Sequence, residues 1–285
     1  MTLVSTAELI AAAVARGGAV AAMNVITLEH AEAIAAGASE CETSVILAIS
    51  ENTVRFHGGQ LAPISAATAA VARLADVPIS LHLDHVTDDT LVEQAAEAGF
   101  SSLMYDGGAL SYPDNVARTR WARDTAHAAG LWVEAELGYV GGKSGAADSA
   151  HAPGVRTDPD EAQEFVEQTG VDALAVAVGS SHAMTSRSAA LDLSLVEKLR
   201  DRVSVPLVLH GSSGVPDEVL RGAVAAGISK VNIGTAINVT MSNAIRGFLA
   251  GDATSVDPRL YLGAARDQIA ATVRDLLAVV SGPAR

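Results

Sequence analysis

Short runs of β-branched and other apolar residues alternate along the chain with longer Ala-rich stretches whose apolar positions recur at helical spacing. That alternation is the pattern of repeated βα units around a parallel sheet. Eight runs read as strands: Ala19 to Ile26, Ser44 to Ser50, Ile79 to Asp84, Ser101 to Asp106, Leu131 to Glu136, Ala173 to Val178, Leu207 to His210, and Lys230 to Ile233. Between them, stretches such as Leu28 to Glu42 and Asp114 to Ala129 are long enough for helices that cover the sheet. Eight units can close on themselves. The expected fold is therefore α/β, a (β/α)8 TIM barrel with extra N- and C-terminal helices, with residues 1–285 as one domain. No low-complexity linker, heptad or short solenoid repeat interrupts the rhythm.

In such a barrel the C-terminal strand ends and the loops after them meet at one rim, where active sites form. Nearly every run ends there in a polar residue: Asn24, Ser50, Asp84 with His85, Asp106, Glu136, His182, His210 and Asn232. Three of these are histidines, in L-H-L-D-H (Leu81 to His85), V-G-S-S-H (Val178 to His182) and V-L-H-G-S-S-G (Val208 to Gly214). Three imidazoles with a free coordination position are a normal ligand set for zinc, so one Zn²⁺ on His85, His182 and His210 is expected. Strict alternation would put Asp84 and His85 on opposite faces, which calls for a bulge or turn where they meet. His82 shares the face of Asp84 and reads as a packed or supporting residue. His30, His57, His127 and His151 fall in helices or loops and are assigned no chemistry.

The seventh and eighth runs lead into Gly211-Ser212-Ser213-Gly214 and Asn232-Ile233-Gly234-Thr235. Their backbone N–H groups and hydroxyls suit a phosphate, helped by a helix N-terminus. Gly138 to Asp158, rich in Gly, Ala and Ser, reads either as a mobile lid or as a solvated loop.

Composition narrows the partners. The chain is 49% hydrophobic, yet no run of about 18 apolar residues suggests a membrane span. Met1 to Ala22 lacks the basic segment, dense apolar core and cleavage site of an export signal, so a soluble cytoplasmic protein is expected. The single Cys41 agrees with a reducing compartment and reads as a small helix residue. A net charge of −14 opposes nucleic acid and anionic lipid, and an anionic substrate would need local donors to overcome it.

These motifs, in this order, resemble the class II zinc-dependent ketose-bisphosphate aldolases, a family that includes fructose- and tagatose-bisphosphate aldolases. The likeness runs from A-A-M-N-V-I-T-L-E (Ala21 to Glu29) through S-V-I-L-A-I-S-E (ending at Glu51), L-H-L-D-H, Y-D-G-G, V-E-A-E-L-G, V-D-A-L-A-V-A-V-G-S-S-H and P-L-V-L-H-G-S-S-G to K-V-N-I-G-T. The resemblance implies zinc ligands at His85, His182 and His210 and a proton-transferring aspartate at Asp84. It implies substrate and phosphate contacts at Gly211, Ser212, Ser213, Asn232, Ile233, Gly234 and Thr235, to which Asn24 and Ser50 on the rim are added. Glu136 and Asp106 match acidic positions that hold a second metal or support the first, so a second divalent or a monovalent cation is a further expectation.

The implied reaction is reversible cleavage of a ketose 1,6-bisphosphate, of fructose or tagatose type, to dihydroxyacetone phosphate and an aldehyde such as glyceraldehyde 3-phosphate. The alternatives are a non-catalytic sugar-phosphate-binding barrel and an aldolase for a related phosphorylated ketose. A homodimer or higher homo-oligomer is implied, with Arg259 in D-P-R as a contact for a neighbouring pocket.

The chain departs from the family pattern in two places. Gly141-Gly142 is followed by Lys143-Ser144-Gly145 instead of an acidic pair, leaving Asp148 as the carboxylate in the middle of that loop. The glycine expected after the second histidine is Ala183, whose methyl would crowd a phosphate, while Arg187 replaces a nearby lysine as a bidentate phosphate donor. Two rival chemistries on the same fold have sequence requirements of their own. A Schiff-base aldolase would depend on Lys230, and a metal-dependent hydrolase would want a His-x-His pair where the first strand offers Met23 and Asn24.

Overall fold

The strand runs become eight parallel strands: β1 (Val20–Asn24), β2 (Val45–Ser50), β3 (Ile79–Val86), β4 (Ser102–Tyr105), β5 (Trp132–Leu137), β6 (Ala173–Val176), β7 (Leu207–Leu209) and β8 (Ile228–Ile233). They pair in chain order, and β8 closes on β1 through Val20↔Lys230 to Met23↔Ile233. The computed structural model describes residues 3–138, 140 and 156–282. Most of the Gly138 to Asp158 loop, with Lys143 and Asp148, lies outside the described residues, as does the lid reading.

The helices are α1 (Thr6–Ala15), α2 (Leu28–Glu40), α3 (Glu51–Phe56), α4 (Leu61–Leu74), α5 (Asp89–Gln94), α6 (Tyr112–Ala128), α7 (Pro159–Thr169), α8 (Leu193–Arg202), α9 (Asp217–Ala226), α10 (Thr235–Gly251) and α11 (Pro258–Val280). Strand residues facing this helical layer, such as Leu47, Leu81, Leu103 and Val231, are wholly buried with Ile34, Phe165 and Val273 of the helices. No helix among the described residues is long and apolar enough to cross a membrane.

Local chemistry sets the boundaries. α6 begins two residues before the expected Asp114 because Ser111 accepts the Asp114 N–H and Pro113 sits in the first turn. α2 stops at Glu40, short of the expected Glu42, which adopts the left-handed φ of +51°. The N-terminal helix α1 lies against strand starts, remote from the rim: Thr6 Oγ1 donates to Ser80 Oγ (3.0 Å) and meets Ser102 Oγ at 2.6 Å.

Candidate active site

β3 runs past its expected end at Asp84 to Val86, and His85 takes a φ of +51° where the pairing with β4 shifts between Leu83 and Val86. This irregularity brings Asp84 and His85 to the same cavity, which regular alternation would forbid. The chain beyond is pinned to α3 by the buried Glu51. Its carboxylate accepts from Thr87 N (2.6 Å), Thr87 Oγ1 (3.0 Å) and Asp88 N (3.1 Å), and it pairs with Arg55.

His182 after β6 and His210 after β7 meet His85, with ring centroids 4.7 to 5.8 Å apart and one donor nitrogen from each within 4.8 Å of the others. Their partners assign the nitrogens. His85 Nδ1 donates to Asp106 Oδ2 (3.0 Å), and His210 Nε2 donates to Glu134 Oε1 (2.8 Å), which leaves Nδ1 of His210 for a ligand. His210 Nδ1 is buried with no hydrogen-bond partner, a cost of about 1–3 kcal/mol that a shared cation would remove. An all-imidazole set fits zinc, with a fourth position left for substrate oxygen. Among the described residues no second group of three histidine, cysteine or carboxylate donors converges.

Beneath the histidines lies a charged floor. Lys230 Nζ donates to Glu134 Oε2 (2.6 Å) and, at 3.4 Å, to His82 Nε2, while His82 Nδ1 meets Ser102 Oγ at 2.8 Å; Glu134, Lys230 and His82 are all fully buried. Burial alone would push the Glu134 carboxyl up, but Lys230 and His210 outweigh it and hold it at about 2. Burial, and then the Lys230 charge, push His82 down to about 3, so it stays neutral and can accept from the ammonium. Lys230, the residue a Schiff-base route would need, is thus engaged below the pocket as a counter-charge.

Above this floor, Asp84 accepts from Asn24 Nδ2 (3.2 Å) and Asn232 Nδ2 (3.1 Å), one on each carboxylate oxygen. Burial opposes its ionisation, but the positive charge around it, that of His85 first, pulls its pKa well below the ordinary carboxylate range. Asp84 is therefore a buried carboxylate fixed at two points beside three converging imidazoles.

The cavity over these groups measures about 420 Å³. Its lining joins most of the residues expected from sequence: Asn24, Ser50, Asp84, His85, His182, Ala183, His210, Gly211, Ser212, Ser213, Asn232, Gly234 and Thr235. Gly211 has a φ of +66°, and a Cβ there would sit 2.7 Å from the Ser181 carbonyl, so only glycine lets these two loops touch. Ser212 Oγ donates to Asn232 O, and Ser213 Oγ accepts from Ala236 N (3.1 Å), locking the turn after β7 to the start of α10. Ala183 is present with a φ of +58°.

Four expected residues lie elsewhere. Asp106 stands behind His85, as its hydrogen bond shows, and the buried Glu136 is likewise absent from the lining. Ile233 and Arg187 border a neighbouring cavity of about 540 Å³. Arg187 donates through Nε (3.0 Å) and Nη2 (2.8 Å) to Val215 O and pairs with Asp217, so the bidentate grip expected on phosphate is spent within the protein. Sequence reasoning also missed Glu134, although V-E-A-E places it on the same strand face as Glu136, and it missed the wall formed by Ile26, Asn52, Thr53 and Phe56.

Comparison with known proteins gives a family and a fold. Residues 4–282 match the family model for class II fructose-bisphosphate aldolase. The chain is 38% identical over 275 residues to a fructose-bisphosphate aldolase of Geobacillus stearothermophilus, covering 96% of this chain and 95% of that one. A probable fructose-bisphosphate aldolase of Bacillus subtilis matches at the same identity and coverage. Among solved structures, the YdjI aldolase of Escherichia coli K12 superposes with a TM-score of 0.84 at 31% identity, over 98% of this chain and 97% of that one.

Proposed function

Because the chain belongs to the class II fructose-bisphosphate aldolase family, and so is a carbon–carbon lyase, we propose that it uses zinc to cleave a phosphorylated ketose of fructose or tagatose type reversibly to dihydroxyacetone phosphate and an aldehyde. The observation that carries this reading is the convergence of His85, His182 and His210, one with an orphaned buried nitrogen, beside the doubly anchored Asp84. On this reading residues 1–285 work as one barrel unit in the cytoplasm.

His85, His182 and His210 would hold the ion, with Asp106 and Glu134 fixing the rings from behind. Bound there, zinc supplies Lewis acidity toward the substrate's carbonyl and neighbouring hydroxyl oxygens, worth several kcal/mol in such reactions. The chain's own groups do the rest. Gly211, Ser213 and the α10 start at Gly234 and Thr235 would take the phosphate of the dihydroxyacetone half, through backbone N–H groups and hydroxyls. Asn232 would orient that half while it holds Asp84.

In cleavage Asp84 accepts the proton of the C4 hydroxyl as the C3–C4 bond breaks and C4 becomes the aldehyde carbon. The electron pair of that bond moves toward the C2 carbonyl, C3 takes up a proton from solvent as dihydroxyacetone phosphate forms, and Asp84 releases the C4-hydroxyl proton to solvent to return to the carboxylate. In synthesis Asp84 returns its proton to the aldehyde oxygen. The surrounding positive charge keeps Asp84 ionised, the form that can accept a proton, while its lowered pKa makes it a weak base that gives the proton up readily in the synthetic direction.

The test is triose phosphate release from fructose and tagatose bisphosphates and their 1-phosphates, before and after EDTA. Activity should be lost with EDTA and recovered with Zn²⁺. Covalent trapping of substrate on Lys230 by borohydride would contradict the reading. A sugar-phosphate sensor would bind dihydroxyacetone phosphate without exchanging its C3 proton for deuterium; the proposal requires exchange.

A further inference from the structure

The barrel axis below the three histidines is polar, and its groups form one continuous chain. Glu134 joins His210 to Lys230, and Lys230 Nζ reaches His82 Nε2 at 3.4 Å. From His82 Nδ1 the chain runs to Ser102 Oγ (2.8 Å) and on to Oγ1 of Thr6 (2.6 Å), the first residue of α1, which donates to Ser80 Oγ (3.0 Å). Every member is wholly buried, so bulk water cannot replace a lost partner.

The donors along this chain follow from one another. An ammonium only donates, so His82 Nε2 accepts from Lys230 and the neutral imidazole carries its proton on Nδ1. That proton goes to Ser102, whose own hydroxyl proton is then available to Thr6. The opposite tautomer would set an N–H against the ammonium. His82 Nε2 therefore presents a lone pair where charges crowd together: Lys230 Nζ at 3.4 Å, Asp84 Oδ1 at 3.8 Å and Glu134 Oε2 at 4.0 Å. Two of the three ammonium N–H groups are committed, to Glu134 and to His82, while Asp84 takes its hydrogen bonds from the amides of Asn24 and Asn232. Of the two carboxylates beside this nitrogen, Glu134 is the one that Lys230 pairs with.

We infer that His82 is a positioning residue that holds the Lys230 ammonium on Glu134 and away from Asp84, with Ser102 and Thr6 fixing the tautomer this requires. The inference rests on the aldolase reading above and adds a residue to it. Without an acceptor at that point the ammonium is drawn toward the neighbouring Asp84 carboxylate, and an ion pair there ties up the group that accepts the C4-hydroxyl proton. Proton exchange at C3, in which Asp84 takes no part, continues.

Exchange of the C3 proton of dihydroxyacetone phosphate in deuterated water by the zinc-loaded parent tests the aldolase reading itself; no exchange sinks that reading and this inference with it. Long-range proton–nitrogen NMR correlation on the same parent reads the His82 tautomer, its signals assigned by their loss in His82→Gln. Nδ1 protonated and Nε2 bare is the expected result; a proton on Nε2, alone or with Nδ1, would overturn the inference without any variant having to fold. His82→Leu, which removes the acceptor at similar volume, should lower kcat for cleavage about tenfold or more while C3 exchange stays within about threefold of the parent. His82→Gln, whose amide oxygen can still accept from Lys230, should keep cleavage within about threefold. Equal losses of cleavage and exchange in His82→Leu, no loss of either, or a His82→Gln variant as slow in cleavage as His82→Leu would overturn it.

Discussion

Lys230→Met removes the ammonium that neutralises Glu134 and leaves a carboxylate of zero exposure whose remaining hydrogen-bond donor, among the described residues, is His210 Nε2–H. Breaking a buried ion pair from one side costs about 3–5 kcal/mol, because the remaining charge stays buried without compensation. At about 2.1 cal/mol/K per residue, a 285-residue chain has an unfolding entropy of about 0.6 kcal/mol/K, so the melting temperature should fall by about 5–8 °C. Calorimetry on chelator-stripped protein reads this free of any metal contribution. The double variant Glu134→Gln/Lys230→Met removes both charges while the amide oxygen can still accept from His210, and it should recover at least half of the loss. Its zinc affinity should nonetheless fall about 10–100-fold, because the neutral amide no longer raises the basicity of the imidazole. A single variant within about 1 kcal/mol of the parent, or a double variant no more stable than the single, would refute the reasoning.

Asp84→Asn should lower kcat/KM for cleavage about 10²–10⁴-fold while leaving one zinc per chain, as metal analysis of the purified variant would show. Ala183→Gly should stabilise the protein by roughly 0.5–1 kcal/mol in a denaturation series. Release of the positive-φ strain, about 1–2 kcal/mol, outweighs the added unfolded-state entropy of about 0.4–1 kcal/mol. Glu51→Gln should loosen the Thr87–Asp88 segment, speeding amide exchange at those two positions more than in the rest of β3.

The eight strands and their polar ends were legible because both obey local rules: apolar runs of strand length, and a change to small or polar residues where each meets the rim. The three histidines were legible for the same reason. What lay hidden depends on which groups meet across the barrel. V-E-A-E puts Glu134 and Glu136 on one face, but the partnership of Glu134 with Lys230 and His210 arises only when β5 lies opposite β8 and β7. Arg187 reads as a free cation in sequence because Asp217, 30 residues on, becomes its neighbour only through the loop after β7. The demand for a break at Asp84 and His85 could be stated from the period of two, whereas its form, a left-handed residue within a strand that continues to Val86, could not.

The central claim is that one divalent cation is shared by His85, His182 and His210. Zinc titration of stripped protein against a competing chelator, on the parent and on His85→Ala, His182→Ala and His210→Ala, tests it most directly. The account predicts one tight equivalent in the parent and an affinity at least about 100-fold weaker in each variant. Parental affinity in any one of the three would contradict it.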